Sequence, residues 1–260
     1  MTNTQTAEYS ESVNTLVGVF GHKNAQTVYN KDSDKLKFTR GNMKIGEDTL
    51  IFNLGSATAC PSAKLGLCDL SHRKYGGSGE CYALRSEYMY PQSLPFRTLQ
   101  SIQWKEWSAA TIADQMFSEI VRSQKTITPV KFIRFNESGD FYSIDCVKKM
   151  GRIAGYLKEL CEVADIPIVK LYLYTHRIDI FSGETGKALL ESLPSNLTIT
   201  GSNFKLHNEF RVLDISREEL NTRDENGVKK YKYTCANDCT SCNLCKLRNG
   251  QGITIIQAKH

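Results

Sequence analysis

Short apolar segments alternate with polar turns and amphipathic stretches along most of the chain. Strands are predicted at seven segments: TLVGVFG (15–21), KLKFTRGN (35–42), TLIFNLG (49–55), PVKFIRF (129–135), PIVKLYLY (167–174), NLTITG (196–201) and ITIIQ (253–257). Helices are predicted from Ser93 to Ile120, across the stretch that carries Cys146 and Cys161, and near GKALLESL (186–193). Strands that alternate with helices form parallel βαβ units with right-handed crossovers. The predicted fold class is therefore α/β, a partial or full TIM-like barrel with a cysteine-rich segment near the C-terminus.

The domain organisation follows from length and composition. The 260 residues, 40% of them hydrophobic and 23% charged, suffice for one core and exclude a disordered or fibrous protein. We expect a single α/β iron–sulfur domain over 1–260. Its parts are N-terminal strands (13–58), a cysteine loop (59–92), a βα core (93–207) and a C-terminal cluster segment (208–260) that opens with a charged loop (208–234).

Localisation is predicted from two features of the chain. No apolar run approaches the ~18 residues that a membrane span needs. The opening residues, MTNTQTAEYS, lack the basic and apolar regions of a secretory signal. We therefore expect a cytoplasmic protein without a membrane partner. Its nine cysteines are then expected to be mostly reduced and available for chemistry other than disulfide pairing.

Two of the nine cysteines are predicted to be core residues. Cys146 and Cys161 lie on the predicted helix, where Val147, Ile153 and Leu157 recur at helical spacing. A free cysteine behaves as a small hydrophobic residue. We therefore interpret both as packing residues and not as ligands.

Four cysteines are concentrated in CANDCTSCNLC (235–245), with the spacing C-x3-C-x2-C-x2-C; they are Cys235, Cys239, Cys242 and Cys245. Thiolates select zinc or iron–sulfur clusters among the common metals. Structural zinc favours two CxxC pairs far apart in the chain. The short gaps here are closer to the C-x2-C-x2-C-x3-C run of bacterial ferredoxins. The segment predicts a [4Fe-4S]-type cluster, with a zinc knuckle as the alternative.

Three further cysteines, Cys60, Cys68 and Cys81, lie in a loop punctuated by Gly, Ser and Lys. Together with the C-terminal four they make seven candidate ligands. One cluster can take four thiolates and a second cluster three, which leaves one iron for water, a substrate or a non-cysteine ligand such as His72. Cys235 is set apart by the wider gap and could instead serve these three, as the outlying cysteine does in two-cluster ferredoxins. The alternative is that the three are ordinary loop cysteines.

Polar residues follow three successive predicted strands, at the edge where α/β folds place their sites. Glu137, Asp140 and His176 are candidate catalytic residues, for proton transfer or for hydrogen bonds to a cluster ligand. The candidate cofactor-binding residues are Asn136, Ser138, Arg177 and Asn203. The alternative is that they form turns and helix caps, with Asp140 or Ser143 capping the next helix and Asn203 in a turn.

Two motifs carry a resemblance to a known family: ECYALR (80–85) and RFNESGDF (134–141), together with the four-cysteine C-terminal segment. The chain resembles the bacteriophage "gene product eighty-eight" family from about residue 15 to its end, and more distantly phage radical-SAM-like barrel proteins. The resemblance implies a phage origin, the host cytoplasm and iron–sulfur binding. It implies that Cys81 and the C-terminal cysteines are ligands and that Glu137 and Asp140 belong to the site.

Radical SAM enzymes hold their cluster through C-x3-C-x2-C, which Cys235, Cys239 and Cys242 match. The match lies near the chain end and a fourth cysteine follows it, and a fourth thiolate would occupy the iron that S-adenosylmethionine needs. GGSGE (76–80) is similar to that family's Gly-Gly-Glu element. S-adenosylmethionine is therefore an alternative cofactor beside one or two [4Fe-4S] clusters.

Three functional hypotheses follow. The first is a redox enzyme that acts on a small molecule or on protons at an incompletely ligated iron, with an unidentified substrate or electron donor, and its variant is a radical SAM-like enzyme. The second is a zinc-stabilised nucleic-acid-binding module that uses KKYKY (229–233). The net charge of +5 permits this hypothesis without requiring it. The third is a structural phage protein that a cluster stabilises.

Overall fold

The computed structural model describes residues 35–42, 44–68, 81–90, 92–248 and 252–259. The predicted strand at 15–21, the candidate ligand His72 and the GGSGE segment lie outside the described residues.

A single sheet of seven strands organises the described chain. The strands are β1 (Thr39–Arg40), β2 (Thr49–Phe52), β3 (Phe132–Phe135), β4 (Lys170–Thr175), β5 (Leu197–Ser202), β6 (Asn208–Leu213) and β7 (Thr254–Ala258). They lie in the sheet in the order in which they occur in the chain. The short strand β1 is antiparallel to β2, and every later pair is parallel.

Helices lie between the parallel strands and in the cysteine loop. In the described residues they are α1 (Pro61–Lys64), α2 (Tyr82–Met89), α3 (Ser93–Glu106), α4 (Ala109–Ser123), α5 (Ile144–Val163), α6 (Ile178–Phe181), α7 (Gly183–Glu191) and α8 (Arg217–Leu220). None of them is long and apolar enough to cross a bilayer. The α/β class and the mostly parallel sheet are confirmed.

A closed barrel is not what the described strands form. Strands β1 and β7 are the two edges of an open sheet. Closure needs the last strand to pair with the first, and in a TIM barrel eight parallel strands achieve it. This chain has an antiparallel two-residue strand at one edge instead. The full-barrel form of the expectation is therefore corrected to an open, mostly parallel sheet.

Three predicted boundaries change in the structure. The helix expected from Ser93 to Ile120 is two helices, because Trp107 and Ser108 are extended and the Ser108 hydroxyl accepts a 3.0 Å hydrogen bond from the Thr111 amide at the start of α4. Ser at such a position ends one helix and caps the next. The charged region 208–234 is not all loop, since it contains β6 and α8. The cysteine loop also contains α1 and α2.

One face of the sheet packs on helices and forms the core. Its strand residues are Leu50, Phe52, Ile133, Phe135, Leu171, Leu173, Leu197 and Ile199, and all belong to one buried apolar cluster with residues of α4 and α5. Cys161 is fully buried in this cluster and Cys146 packs against it. The prediction that these two cysteines are core residues is confirmed.

The opposite face carries aromatic and polar side chains, because successive strand residues point to opposite faces. Tyr172 lies 6.4 Å from Phe132 and Tyr174 lies 5.5 Å from Phe210, measured between ring centroids. The C-terminal cysteine segment packs here: the Lys246 ammonium lies 4.3 Å from the ring centroid of Phe132. This face is therefore where the sheet meets the predicted cluster ligands.

Candidate metal centres at the sheet

The four C-terminal cysteines lie together; we call them the quartet (Cys235, Cys239, Cys242 and Cys245). The pKa of Cys245 is raised to about 12, chiefly by burial and also by the thiols of the other three cysteines, against a hydrogen bond with Tyr174 that lowers it. The charge of Cys235 also raises the pKa of Cys239. Cys235 therefore lies close to the other cysteines of the quartet.

Backbone hydrogen bonds tie the quartet to two distant parts of the chain. The Cys235 amide donates to the carbonyl of Ile256 in β7 at 2.8 Å, and the Cys239 amide donates to the carbonyl of Lys44, between β1 and β2, at 3.1 Å. The Lys246 ammonium donates to the carbonyl of Cys239 at 2.7 Å. These hydrogen bonds thus attach the cysteine segment to β7 and to the loop between β1 and β2, at the two edges of the sheet.

Positive charges surround the quartet. Burial raises the pKa of Cys239, and Lys44, Arg134 and Lys246 oppose that rise by favouring the thiolate. The Arg134 guanidinium lies 5.0 Å from the ring centroid of Tyr174 and 5.9 Å from that of Tyr172. Nearby cations stabilise anionic sulfur. These three cations therefore partly offset the effect of burial on the pKa of Cys239.

The N-terminal cysteines form a second group; we call them the trio (Cys60, Cys68 and Cys81). The Cys68 thiol shares a hydrogen bond with Cys81, which lowers the pKa of Cys81 to about 7 and raises that of Cys68. The pKa of Cys60 is raised to about 11, chiefly by burial, with smaller contributions from Asp140 and Cys81. The loop thus brings together three thiols that are 8 and 13 residues apart in sequence.

Two members of the trio lie directly before a helix. Cys60 precedes α1, whose first residue is Pro61, and Cys81 precedes α2. Hydrogen bonds from backbone amides of the first helical turn lower the pKa of each thiol. The amides of Ala63 and Ser62 act on Cys60, and those of Leu84 and Ala83 act on Cys81. The exposed N–H groups of a helix start favour an anion. At Cys60 burial outweighs this effect and the pKa stays raised, whereas the pKa of Cys81 is lowered.

Asp140 joins the trio to two strand ends. It is buried and accepts four hydrogen bonds: from the Ser62 hydroxyl (2.7 Å), the Thr175 hydroxyl (2.7 Å), the His176 amide (2.9 Å) and the Phe141 amide (2.8 Å). Burial raises the pKa of Asp140 against the lowering effect of these donors. Because a carboxylate has about four lone-pair sites, Asp140 is fully used in holding α1 and β4 in place.

The turn that carries Asp140 depends on glycine. Gly139 has φ +79°, and a Cβ on it would lie 2.6 Å from the backbone nitrogen of Gly55, just after β2. A side chain is excluded both by the backbone conformation and by this close approach. The backbone of the turn after β3 can therefore pack closely against the loop after β2, which leads to Cys60 of the trio.

A buried carboxylate that the sequence pattern did not indicate is Glu87 on α2. Its Oε1 accepts hydrogen bonds from the Ala57 amide (2.8 Å), the Arg97 guanidinium (2.9 Å) and the Ser138 hydroxyl (3.2 Å). A glutamate in a short helix is ordinarily solvent-exposed. The only signal in the sequence is its position six residues after Cys81.

The other strand-end candidates have different surroundings. Asn136 is buried with φ +55°, and neither its Oδ1 nor its Nδ2 has a hydrogen-bond partner. Ser138 reaches Glu87, and its amide donates to Oδ1 of Asn53 at 2.7 Å. Glu137 accepts a 2.7 Å hydrogen bond from Nδ2 of Asn42. These three residues lie on the same turn as Asp140, and Ser138 contacts Glu87, whose charge acts on Cys81.

Two candidates fit the structural alternative of turns and caps. Arg177 is buried and forms a two-point ion pair with Asp179 (2.8 and 2.7 Å), and its NH1 donates to the Phe141 carbonyl. Asn203 is exposed, has φ +67°, and its amide donates to the Phe210 carbonyl at 2.9 Å. Arg177 therefore stabilises the turn after β3, and Asn203 forms part of the turn after β5.

The electrostatic interactions described for the trio join its members to one another, and those described for the quartet join its members likewise. Among the residues that the structure describes, no three His, Cys, Asp or Glu side chains are arranged to hold a single metal ion. Two open grooves of about 290 and 520 Å³ contain no cysteine and no strand-end candidate in their linings.

The basic and aromatic residues of KKYKY interact with their own neighbours. The Lys230 ammonium pairs with Glu219 at 2.9 Å and lies 5.3 Å from the ring centroid of Tyr231, and Lys232 lies equally far from that of Tyr233. The cations and rings that would stack on bases thus already contact each other.

The family model described as Gene product 88 matches residues 24–245. The chain belongs to the Gene product 88 family. This confirms the bacteriophage family that ECYALR and RFNESGDF predicted, whereas the more distant similarity to radical-SAM-like proteins has no support from the match. The Gene product 88 match includes the trio and the quartet. No curated protein and no solved structure matches the chain.

Proposed function

We propose that this Gene product 88 protein binds two iron–sulfur clusters and acts as a redox enzyme at the cluster held by the trio. The observation that carries the proposal is the partition of seven thiols into a group of four and a group of three, each gathered by the fold. Four thiolates complete a [4Fe-4S] cluster and three leave one iron without a cysteine ligand.

The donor chemistry fits clusters better than single ions. Cysteine thiolates are soft ligands that suit iron–sulfur clusters and zinc. A single zinc needs its ligands about 2.3 Å from one point, and no group in the described residues has such an arrangement. Several irons spread their thiolates more widely than one ion does. Thiols in groups of four and three are therefore the donor set on which the proposal of polynuclear clusters rests.

The quartet is suited to electron transfer. It has four cysteines, a hydrogen bond from Tyr174, and the cations Lys44, Arg134 and Lys246 around its sulfurs. Hydrogen bonds to sulfur, net charge and solvent access set a cluster's reduction potential. These residues would tune that potential, while the closed ligand set excludes substrate from iron.

The trio is suited to substrate chemistry. An iron–sulfur cluster with an open iron supplies single electrons and a position where a small molecule or a proton can be bound. Asp140 orients α1 and β4 around the thiols, and the His176 and Glu137 side chains lie on the adjoining strand ends as proposed proton-handling groups. The unpartnered amide of Asn136 is the proposed hydrogen-bonding group for substrate.

Of the alternatives, a radical SAM-like enzyme would now have to use the trio, because Cys245 lies with the three cysteines that match the motif. S-adenosylmethionine binding stays a prediction for that site. The zinc-stabilised nucleic-acid module is less well supported, since the KKYKY side chains are engaged with one another and with Glu219.

The test is purification without oxygen, followed by absorption spectroscopy and the measurement of iron, sulfide and zinc per chain. We expect a brown protein with more iron than one four-iron cluster holds. A colourless protein with stoichiometric zinc would overturn the proposal in favour of the zinc module. Electron paramagnetic resonance of the reduced protein, with and without S-adenosylmethionine, then separates the two redox variants: an unchanged spectrum counts against the radical SAM alternative.

A further inference from the structure

The two oxygens of the Glu87 carboxylate have different surroundings. Glu87 is fully buried, and its Oε1 accepts the three hydrogen bonds from Ala57, Arg97 and Ser138. Its Oε2 is also buried and accepts none. A buried carboxylate oxygen without a partner carries a desolvation cost. Such an atom is suited to bind a group that is not part of the polypeptide.

Glu87 lies beside the trio. It is on α2, the helix that Cys81 precedes, and its charge acts on the Cys81 thiol. Two of its partners belong to the loops that hold the trio: Ala57 comes three residues before Cys60, and Ser138 comes two residues before Asp140. The Glu87 carboxylate is therefore close enough to the trio to act on the thiol of Cys81.

Asp140 and Glu87 are the two buried carboxylates near the trio for which contacts are described, and only Glu87 has an oxygen to spare. Asp140 accepts four hydrogen bonds with its two oxygens. In Glu87 the Arg97 ion pair, at 2.9 Å, fixes Oε1 and leaves Oε2 for another ligand. The two carboxylates thus have different tasks, Asp140 in positioning and Glu87 in binding.

Resting on the proposed function, we propose that Glu87 provides, through Oε2, the non-cysteine ligand for the iron that the trio leaves open. A carboxylate oxygen is a harder ligand than thiolate, so the iron it holds is more readily released or exposed to a substrate than the other three. The sequence analysis considered His72 for this position, and His72 lies outside the described residues.

The substitution Glu87→Gln tests the proposal because it keeps a carbonyl oxygen for Ala57, Arg97 and Ser138 and replaces Oε2 by an amide that does not ligate iron. The anaerobic wild-type and variant proteins are oxidised with ferricyanide, and the electron paramagnetic resonance signal of a three-iron cluster is followed with time. We expect the variant to lose one iron at least about 10-fold faster, because even the loss of an outer-shell partner weakens metal binding by about 10- to 100-fold. The signal of the quartet's cluster should stay unchanged.

A matched control is Glu209→Gln. Glu209 is also a buried carboxylate in an ion pair with arginine: it contacts Arg211 at 2.6 Å and the Thr254 hydroxyl at 2.9 Å, on the far strands β6 and β7. We expect this variant to release iron at the wild-type rate. If Glu87→Gln does not fold, Glu87→Asp is the second variant. Its shorter side chain keeps the negative charge beside Arg97 but moves the carboxylate oxygen away from the iron, and it should show the same rapid loss of iron.

Equal rates of iron loss in the wild type and in a folded Glu87 variant would overturn the inference and leave the proposed function intact. Equal acceleration in the Glu87 and Glu209 variants would also overturn it, because the effect would then come from lost stability. An iron-free wild-type protein would overturn the proposed function and the inference together.

Discussion

The hydroxyl of Ser62 donates a 2.7 Å hydrogen bond to Oδ2 of Asp140, and both residues are buried. Ser62 belongs to α1, two residues after Cys60, whereas Asp140 follows β3 and is 78 residues away in the chain. This single contact fixes the first cysteine of the trio relative to the carboxyl edge of the sheet. The position of the trio therefore depends on residues that are not themselves ligands.

Replacing Asp140 by asparagine should disturb the trio and spare the quartet. In the variant, the amide nitrogen of asparagine would face one of the groups that now donate a hydrogen bond to the carboxylate. That buried donor would lose its acceptor, which lowers the free energy of unfolding by about 1–3 kcal/mol. We expect Asp140→Asn to lose the iron held by the trio and to keep a ferredoxin-like spectrum from the quartet. Ser62→Ala, which removes one of the four bonds, should give a smaller loss of iron. Unchanged iron in Asp140→Asn would show that Asp140 does not position the trio.

The two classes of cysteine should respond differently to substitution. Cys242→Ala removes a member of the quartet and should abolish that cluster. Cys161→Ala removes a fully buried sulfur from the core and should cost about 1 kcal/mol of stability, with iron unchanged. Iron analysis and urea unfolding of both variants test this. Equal loss of iron in both would contradict the division of the cysteines into ligands and core residues.

Tyr174→Phe should lower the reduction potential of the quartet's cluster. The change removes the hydrogen bond to the Cys245 sulfur and keeps the ring that packs on Phe210. A hydrogen bond to sulfur stabilises the more negative, reduced state. A net worth of about 0.5–1.5 kcal/mol corresponds to a fall of about 20–65 mV for one electron. Tyr172→Phe serves as the control on the same strand, and an equal potential in Tyr174→Phe and wild type would contradict the role.

His207 should make the protein less stable in mild acid. The pKa of His207 is lowered from its usual value of 6.5 to about 4, chiefly by burial and also by Arg248. Its unprotonated Nδ1 accepts a 3.0 Å hydrogen bond from the Ile199 amide. Between these two pKa values the unfolded chain binds a proton that the folded chain does not. Stability is therefore fully present above about pH 6.5 and falls as the pH drops toward 4, by at most about 3 kcal/mol.

The measurement for His207 is urea unfolding at pH 7 and at pH 5 for the wild type and for His207→Gln. The variant has no imidazole to protonate, so the part of the pH dependence that comes from this site should disappear. If the wild type and the variant lost the same amount of stability between the two pH values, His207 would not be its source.

The chain's own pattern determined the class of the fold and the identity of the special residues. Alternating apolar and amphipathic segments specified a mostly parallel α/β sheet, since strand and helix periods differ and each buries one face. Residue type and spacing separated Cys161, in an apolar helical stripe, from the cysteines of the loop and of the C-terminal segment. The motif around Asn136 to Asp140 was recognised from local sequence alone.

Tertiary structure decided what depends on contacts between distant segments. It left the sheet open, because whether a first and a last strand meet depends on the twist of all the strands between them. It placed Cys235 with its three C-terminal neighbours and assigned Arg177 to an ion pair with Asp179. It also revealed Glu87, whose partners come from the loop after β2, from α3 and from the turn after β3. The burial of a single charged side chain is set by such packing, and no local pattern in the sequence encodes it.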